Sequence, residues 1–307
     1  MLRKAWLFLL LGLLLVFPPL ASALGLEFYM GLLTKIMIFA LAASSLNLIL
    51  GYGGMVSFGH AAFFGLGAYS VAILMREGVQ SAWVIWPVAI ALSALLALLI
   101  GAISLRTRGV YFIMITLAFA QMLYFVVVSF KQYGGEDGLR ARRPNFAIFE
   151  PTDTALYYLT LAVLMAGLYL LARLVNSRFG RVLQAIRENE SRAAALGYPV
   201  YQFQLVAFVV AGALAGLAGV LMAHYTQYAS PNLLAWQQSG HLMMMVILGG
   251  VGQFWGGVLG AVALSLVEEV LQDLTIHWQL GVGVILLLVV LFAPKGLAGL
   301  WSRGKGP

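Results

Sequence analysis

The chain has 307 residues, of which 62% are hydrophobic and only 9% carry a charge, and its mean hydropathy is +0.95. No soluble domain has this composition, so the sequence predicts a membrane protein built from several transmembrane helices. The apolar runs are long and show no apolar–polar alternation, which excludes a membrane β-barrel. Cysteine is absent from the sequence, which excludes disulfides and thiol chemistry. The net charge of +7 fits basic loops at an anionic membrane surface rather than nucleic-acid binding.

The start of the chain has two interpretations. Arg3 and Lys4 precede an apolar run, and small residues at 21–23 fit the cleavage site of a signal peptide. The same residues fit a retained first span. Both interpretations put residue 25 on the outer side. We favour a retained span within residues 1–27, because the next apolar run follows after only a few residues.

The lengths of the apolar runs predict ten membrane crossings. They cover residues 5–24, 28–50, 56–75, 83–104, 110–130, 154–174, 202–224, 239–252, 255–272 and 278–293. The eighth and ninth runs are short for full crossings. The expected fold is therefore an all-α polytopic membrane protein with about ten transmembrane helices, some of them short or broken, in a single domain of residues 1–307.

Basic residues are distributed unequally between the two sides of this arrangement. If the amino terminus is inside, the inner ends carry twelve of the eighteen basic residues: Arg3, Lys4, Arg106, Arg108, Arg173, Arg178, Arg181, Arg187, Arg192, Lys295, Arg303 and Lys305. The outer side carries five: Arg76, Lys131, Arg140, Arg142 and Arg143. Because short loops rich in Lys and Arg stay inside, both termini are predicted to be cytoplasmic.

A glycine-rich interruption, LNLILGYGGMVSFGHAAFFGLGA, occupies residues 46–68. Its closely spaced glycines break the helix, and backbone freed at membrane depth must face protein or a water-filled cavity. The polar side chains beside the break are Asn47, Ser57 and His60, and Gly59 precedes His60. We therefore predict that Asn47, Ser57, Gly59 and His60 line a substrate pathway. The alternative is that these side chains only tie helices together.

The longest outer loop is predicted at residues 131–154, where glycines and Pro144 supply turn chemistry among mixed charges. It is either a simple connector or a contact surface for an external partner.

Residues 175–200 form a polar segment in an otherwise apolar chain. Five residues at helical spacing give it one mostly apolar face: Val182, Ile186, Asn189, Ala193 and Leu196. Gly197 and then Pro199 supply a helix stop. We predict one short amphipathic helix, or two with a break near residues 189–191, on the cytoplasmic side. Because nothing in this chain is expected to cover the apolar face, a partner is predicted to dock there; the alternative is an ordinary basic loop.

A second glycine-rich interruption, ILGGVGQFWGGVLG, occupies residues 247–260. Paired interruptions in the two halves of a membrane protein indicate a transport pathway. Small residues four apart let helices approach closely, and three such pairs occur: Ala61/Gly65, Gly212/Gly216 and Gly256/Gly260. For the last two pairs we predict a role in packing.

The sequence lacks the motifs of the common membrane chemistries. It has no phosphate-binding loop, and its four histidines are not at metal-ligand spacing. Carboxylates deep within the apolar runs are nearly absent, and the pair Glu268 and Glu269 is expected to reach headgroups or water. Ion-coupled carriers usually keep such buried carboxylates for coupling. We therefore expect no catalysis, metal or cofactor, and a pathway driven by an ATPase on another chain.

Four motifs, in the right order, carry a resemblance that runs from about residue 28 to residue 297. They are LNLILGYGGMVSFGHAAFFGLGAY at 46–69, YGGEDGL at 133–139, RVLQAIRENE at 181–190 with AAALG at 193–197, and VILGGVG at 246–252 with two further glycines at 256 and 260. Together they resemble the permeases of branched-chain amino-acid ABC transporters of the LivM type. The resemblance implies an importer permease fold of ten helices in the bacterial inner membrane.

The resemblance also implies partners and a substrate. The partners would be a paralogous second permease, two ABC ATPase subunits and a periplasmic binding protein. The cargo would be leucine, isoleucine and valine; urea, short amides or other amino acids are the alternatives within the class, and an ion-coupled carrier is the alternative outside it. Members of the family dock on the ATPase through an alanine-rich coupling helix that ends in glycine. The residues matched to it here are Arg187, Glu188, Glu190, Ala193, Ala194 and Gly197, with Ser191 and Arg192 separating the acidic residue from the alanines.

Overall fold

The computed structural model describes residues 12–21, 25–141, 143, 152–293 and 296–302, and these residues are mostly helical. Their α-helices are α1 (Gly12–Ala21), α2 (Glu27–Asn47), α3 (His60–Arg76), α4 (Ala82–Ser104), α5 (Val110–Ser129), α6 (Asp153–Val175), α7 (Arg178–Glu188), α8 (Glu190–Ala195), α9 (Val200–Thr226), α10 (Trp236–Gly249), α11 (Gly256–Leu274), α12 (Trp278–Phe292) and α13 (Gly296–Ser302). A π-helical turn, Leu48–Tyr52, continues α2, and short 3₁₀ turns lie at Lys131–Tyr133, Gly135–Asp137 and Pro231–Leu233.

Six helical runs in the described part of the chain are long and apolar enough to cross a membrane: Glu27–Tyr52, Ala82–Ser104, Val110–Ser129, Asp153–Val175, Val200–Thr226 and Trp278–Gly299. This confirms the all-α polytopic fold, but the predicted count of about ten is slightly too high by this measure. The other four predicted runs form α1, α3, α10 and α11. The 14 residues of α10 span about 21 Å, less than the hydrocarbon thickness of about 30 Å, and α11 carries three carboxylates in its last two turns.

Parts of the predicted amino-terminal segment and basic distribution lie outside the described residues, namely Arg3, Lys4, Ser22, Ala23, Arg142, Pro144, Lys295, Arg303 and Lys305. The described part of the first run, α1, packs against α6. The hydroxyl groups of Tyr157 and Tyr158 donate to the carbonyl oxygens of Leu14 and Leu15, each at 3.0 Å.

Helix α2 lies at the centre of the molecule. Its side chains from Ile36 to Asn47 are all buried, and it packs against α6, α9, α10 and α11. A helix that is apolar on every side must be surrounded by other helices or by lipid, and α2 is surrounded by helices. Helices α5 and α12, by contrast, leave most of their apolar surface exposed, as expected of helices at the lipid boundary.

Helices α3 and α9 approach each other backbone to backbone because glycines lie at their contact. A Cβ atom on Gly67 would lie 2.0 Å from the carbonyl oxygen of Gly216, and one on Gly219 would lie 1.8 Å from that of Phe64. Such distances cannot be occupied, so these positions accept only glycine unless the helices separate. The small residues predicted at 212 and 216 serve close packing of α9 on α4, since Cβ atoms there would lie 2.4 Å from Ala97 Cβ and 2.2 Å from Ser93 Oγ.

At one end of the molecule, which we call the strand end, a two-residue strand β1 (Leu139–Arg140) pairs with β2 (Tyr228–Ala229). The pairing is antiparallel, with Leu139 opposite Ala229. It fastens the loop after α5 to the connection between α9 and α10, and both strands pack on α3. The described part of the predicted outer loop is thus built into the fold.

At the opposite end, which we call the polar-segment end, α7 and α8 form two short helices. The Ser177 hydroxyl caps α7 by accepting from the Gly180 amide at 3.3 Å, and the Asn189 side chain caps α8 by accepting from the Arg192 amide at 2.9 Å. The break predicted near residues 189–191 is confirmed. An ion pair of 2.8 Å between Arg108 and Glu190 brings the turn between α4 and α5 to the same end.

Candidate functional site

The two glycine-rich interruptions meet at the polar-segment end, and the Asn47 side chain joins them. Its amide nitrogen donates to the carbonyl oxygen of Gln253 at 2.8 Å, and its oxygen accepts from the Gly252 amide at 3.0 Å. Gly51 lies against this contact, since a Cβ atom there would be 2.5 Å from the Gly252 nitrogen. We call residues 47–59 the first break and residues 249–256 the second break. They form one polar junction although they are about 200 residues apart in sequence.

Arg187, at the carboxyl end of α7, reaches into this junction. Its Nη1 donates to the carbonyl oxygen of Gly51. Its side chain crosses Gly54 and Gly252: Cβ atoms built on these glycines would lie 3.0 Å from its Cγ and 2.8 Å from its Nη1, respectively. Both glycines also have positive φ, +69° and +77°, which disfavours any other residue. A cation is favourable here, because carbonyl groups at the end of a helix carry partial negative charge.

The first turn of α3 is capped by side chains from two parts of the chain. The Ser57 hydroxyl accepts from the Gly59 amide at 3.2 Å. The Ser239 hydroxyl, on α10, accepts from the Ala61 amide at 2.8 Å and donates to the carbonyl oxygen of Phe58 at 2.7 Å. These bonds satisfy backbone groups that the helix itself leaves unpaired, which matters because most of the groups involved are buried away from water.

His60, the first residue of α3, is fully buried and lies 2.8 Å from the Ser45 hydroxyl through its Nε2. The contact joins α3 to α2 across the first break. Phe63 lies beside it, with the two rings edge to face at a centroid distance of 5.9 Å. In this conformation the imidazole therefore links two helices.

The apolar face predicted on the polar segment is partly covered by the chain itself. Leu183 and Ile186 on α7 are buried, and α7 packs on α6, α9 and the π-helical turn. Ala193 on α8 is also buried. The expectation that nothing in this chain covers the face is therefore wrong for α7. The part of the face that the chain leaves uncovered runs from Ala194 to Leu196, and Leu196 is 71% exposed.

A cleft of about 140 Å³ opens beside the first break at the polar-segment end. It lies between the break and the turn that joins α4 to α5, and its lining includes Gly54, Val56, Leu105, Arg108, Phe112 and Gln204. The cleft is mostly apolar, with the guanidinium of Arg108 and the amide of Gln204 as its strongest hydrogen-bonding groups.

Comparison with known proteins connects this geometry to a family. The sequence profile of the family described as branched-chain amino acid transport system / permease component matches residues 28–293. The match includes both breaks and the polar segment between them. The chain belongs to this family.

Individual relatives agree with the assignment. The permease is 28% identical to the high-affinity branched-chain amino acid transport system permease protein LivM of Salmonella typhimurium, over 86% of this chain and 68% of the relative. It is 25% identical to a probable LivM of Methanocaldococcus jannaschii, over 85% and 90% of the two chains. It is 24% identical to the LivH permease protein of Escherichia coli, over 85% and 91%. No solved structure gives a significant match.

The four predicted pathway residues all lie close to the breaks, but they form two separate groups. Ser57, Gly59 and His60 lie together at the start of α3, whereas Asn47 lies at the junction with the second break. The Asn47, Ser57 and His60 side chains are all buried and hydrogen-bonded within the chain.

The six residues predicted to contact an ATPase also form two groups, and the side chains of the first group have contacts inside this chain. Arg187 is exposed but donates to the Gly51 carbonyl, Glu190 pairs with Arg108, and Ala193 is buried. The remaining three, Glu188, Ala194 and Gly197, are exposed at the polar-segment end. Gly197 has a φ of +86°, which explains why a glycine ends this helix.

The prediction that Glu268 reaches headgroups or water is wrong. Glu268 on α11 is buried, and its carboxylate lies 2.7 Å from Nε2 of His241 on α10. The ring of Phe39 stacks edge to face on His241 at 5.4 Å. Position along the apolar run could not reveal this pair, because its partner lies 27 residues away on the preceding helix. Further along α11, Glu269 is half-buried and Asp273 is exposed.

Proposed function

We propose that this permease works as one membrane subunit of an ABC importer in the bacterial inner membrane. A periplasmic binding protein delivers branched-chain amino acids, a second and paralogous permease completes the path, and two ABC ATPase subunits drive alternating access. The main observation behind the proposal is the exposed apolar surface at the end of α8. This surface lies at the end of the molecule that is rich in arginine, and the chain belongs to the permease family.

The distribution of charge supports an orientation for the chain. The polar-segment end carries seven arginines, Arg106, Arg108, Arg173, Arg178, Arg181, Arg187 and Arg192, with two glutamates. At the strand end the described basic residues Arg76, Lys131, Arg140 and Arg143 alternate with Glu77, Glu136, Asp137 and Asp153. The excess of arginine favours a cytoplasmic polar-segment end. Both chain termini would then be cytoplasmic, with α1 retained as a span packed on α6.

In this proposal α8 is the docking element for an ATPase subunit. Leu196 and Tyr198 are 71% and 42% exposed, and Ala194 lies beside them on the same short stretch. Exposed apolar side chains grouped in this way usually mark a contact surface. Glu188 and Gly197 flank the surface, while Arg187, Glu190 and Ala193 support it from within the chain.

The substitution Ala194→Glu tests this docking, because it places an unpaired charge in the contact, where burial is costly. Copurification of the ATPase subunits and leucine uptake should both fall, while the amount of the permease in the membrane stays normal. Ala185→Glu makes the same change on the exposed side of α7 and is the control. Unchanged copurification and uptake in the Ala194→Glu protein would show that α8 is not a docking element for the ATPase.

We further propose that the substrate path passes along the first break, beside Ser57, Gly59 and His60, with Asn47 closing its cytoplasmic end. Neutral hydrogen-bonding groups suit a zwitterion that must bind and leave again. The chain has no cysteine, so Ser57→Cys gives a single thiol. Ser57 is fully buried in this conformation, so the thiol should react with a small thiol reagent only during ATP turnover. A thiol that stays unreactive in every state contradicts this placement.

A carrier coupled to an ion gradient is the second candidate, and the buried Glu268–His241 pair is the observation that favours it. The two candidates differ in their energy source. An ATP-driven importer loses leucine uptake when vanadate traps its ATPases and keeps it when an ionophore collapses the proton gradient. The opposite pattern would support the carrier.

A further inference from the structure

We propose that Arg187 is the positioning residue through which α7 and α8 move both helix breaks, by holding the Gly51 carbonyl and lying across Gly252. The inference rests on the proposed docking of an ATPase on α8. It assigns Arg187 a role inside the permease rather than in the contact with the ATPase.

The first step is the connection from the docking surface to Arg187. Only Asn189 separates α7 from α8, and its extended backbone, with φ −158° and ψ 101°, is fixed by the cap that it gives to α8. On the other side, α7 is anchored by the buried Leu183 and Ile186. A push on α8 therefore reaches α7 within one residue of Arg187.

The second step is the connection from Arg187 to the first break. In the π-helical turn the carbonyl groups of Leu48 and Ile49 are taken by the amides of Gly53 at 3.1 Å and Met55 at 2.9 Å. The Gly51 carbonyl accepts instead from the Arg187 guanidinium. The last turn of α2 is thus completed by a side chain that comes from α7, so the path of the chain into residues 53–59 depends on where α7 lies.

The third step is the connection to the second break. The Arg187 guanidinium passes over Gly252, and Gly252 and Gln253 bond to Asn47, four residues before Gly51. The two breaks and Arg187 therefore form a closed set of contacts. A displacement of α7 that moves one break must therefore also move or strain the other. In the described part of the chain, no second cation contacts Gly51.

The geometry also requires arginine rather than a generic cation. The side chain must lie flat between Gly54 and Gly252, where any Cβ atom would be in its way, and still present an N–H group to Gly51. The planar guanidinium offers donors in a fixed fork, whereas a lysine offers one compact ammonium group. Arg187→Lys should therefore keep the charge and lose part of the connection.

The test uses the complete importer in proteoliposomes, with ATP hydrolysis and leucine uptake measured on the same preparation. In the Arg187→Met protein the complex should assemble and keep hydrolysing ATP, while uptake falls by about tenfold, within the range over which residues along a coupling route act. The amount of ATP hydrolysed per leucine should rise correspondingly. Arg187→Lys should lie between wild type and Arg187→Met, and Arg181→Met, an exposed arginine on the same helix, should stay within about twofold of wild type.

Two results overturn the inference. One is uptake in Arg187→Met within about twofold of wild type. The other is a parallel loss of hydrolysis, uptake and thermal stability, which a purely structural arginine would give. If Arg187→Met does not assemble, the ratio of ATP to leucine in Arg187→Lys decides: an unchanged ratio contradicts the inference and a raised ratio supports it. A wild-type complex that imports no leucine would instead defeat the proposed function.

Discussion

The two breaks look alike in sequence, since both are glycine-rich interruptions of apolar runs, but they are held in different ways. The first break is held by side chains: Asn47, Ser57 and the contact of His60 with Ser45. The second break is held by bare backbone. A Cβ atom on Gly249 would lie 1.8 Å from the Gly256 carbonyl oxygen, and its glycines at 250 and 252 have φ of +117° and +77°.

The difference shows that a glycine-rich stretch has two physical uses in a membrane protein. In the first break glycine frees the backbone, and polar side chains then satisfy it. In the second break glycine removes side chains so that α10 and α11 can approach, and the exposed amide and carbonyl of residues 252 and 253 become partners for Asn47. One break supplies the side-chain groups and the other supplies the backbone groups, so the junction needs both.

The largest effect on stability is expected where α10 and α11 approach each other beside the second break. Gly260→Ala would put a Cβ atom 1.7 Å from the Met245 carbonyl oxygen, so α10 and α11 must separate. We expect the free energy of unfolding to fall by about 3 kcal/mol or more, at or above the upper end of typical overpacking costs. Unfolding of the detergent-solubilised permease measures it.

The control for this change is Gly283→Ala on α12, where an added Cβ atom meets nothing within 4 Å. That protein should be as stable as wild type. Equal stability of the Gly260→Ala protein would show that α10 and α11 do not touch as described.

An intermediate effect is expected from Asn47, which joins the two breaks. Asn47→Ala leaves the Gly252 amide and the Gln253 carbonyl without their partner, and it should lower the free energy of unfolding by about 2 kcal/mol. Asn176→Ala removes an exposed asparagine that bonds only within its own helix end, and it should cost less than about 0.5 kcal/mol. Equal costs for the two substitutions would mean that the breaks are not joined.

The smallest effects are expected at the two serines that cap α3, Ser57 in the first break and Ser239 on α10. Ser239→Ala removes two hydrogen bonds to buried backbone and should cost about 1–2 kcal/mol. Ser57→Ala removes one bond of 3.2 Å to a residue two positions away and should cost less than about 1 kcal/mol. The same unfolding measurement ranks them. A larger cost for Ser57→Ala would reverse the assignment of the main cap.

Much of the fold could be predicted from the sequence because the membrane restricts the solutions. The apolar runs at 83–104, 110–130, 154–174 and 202–224 match α4, α5, α6 and α9 within a few residues. A run of about twenty apolar residues has one stable form in lipid, a helix. Fewer than ten runs meet the length and composition of a span in the described residues. Helices α3 and α10 have 17 and 14 residues, α11 carries carboxylates near its end, and only residues 12–21 of the first run are described.

The junction itself could not be predicted. Local pattern placed Asn47 beside a break, but nothing local indicates a partner 206 residues away. The resemblance matched Arg187 to an ATPase-docking helix, but its hydrogen bond to the Gly51 carbonyl could not be predicted, because a backbone carbonyl has no sequence signature. Glu268 was placed near water for a similar reason, since spacing along α11 says nothing about His241 on α10.

The most direct test of the account is the side of the membrane on which the polar segment lies. Ser191→Cys puts a single exposed thiol on α8, and Glu136→Cys puts one at the strand end; Gly138 is avoided because a side chain there would strike the Ala229 carbonyl at 2.5 Å. In sealed cells and inverted vesicles, a membrane-impermeant thiol reagent should label residue 191 only from the cytoplasmic side and residue 136 only from outside. Labelling of residue 191 from outside would contradict the account, because no ATPase could then reach α8.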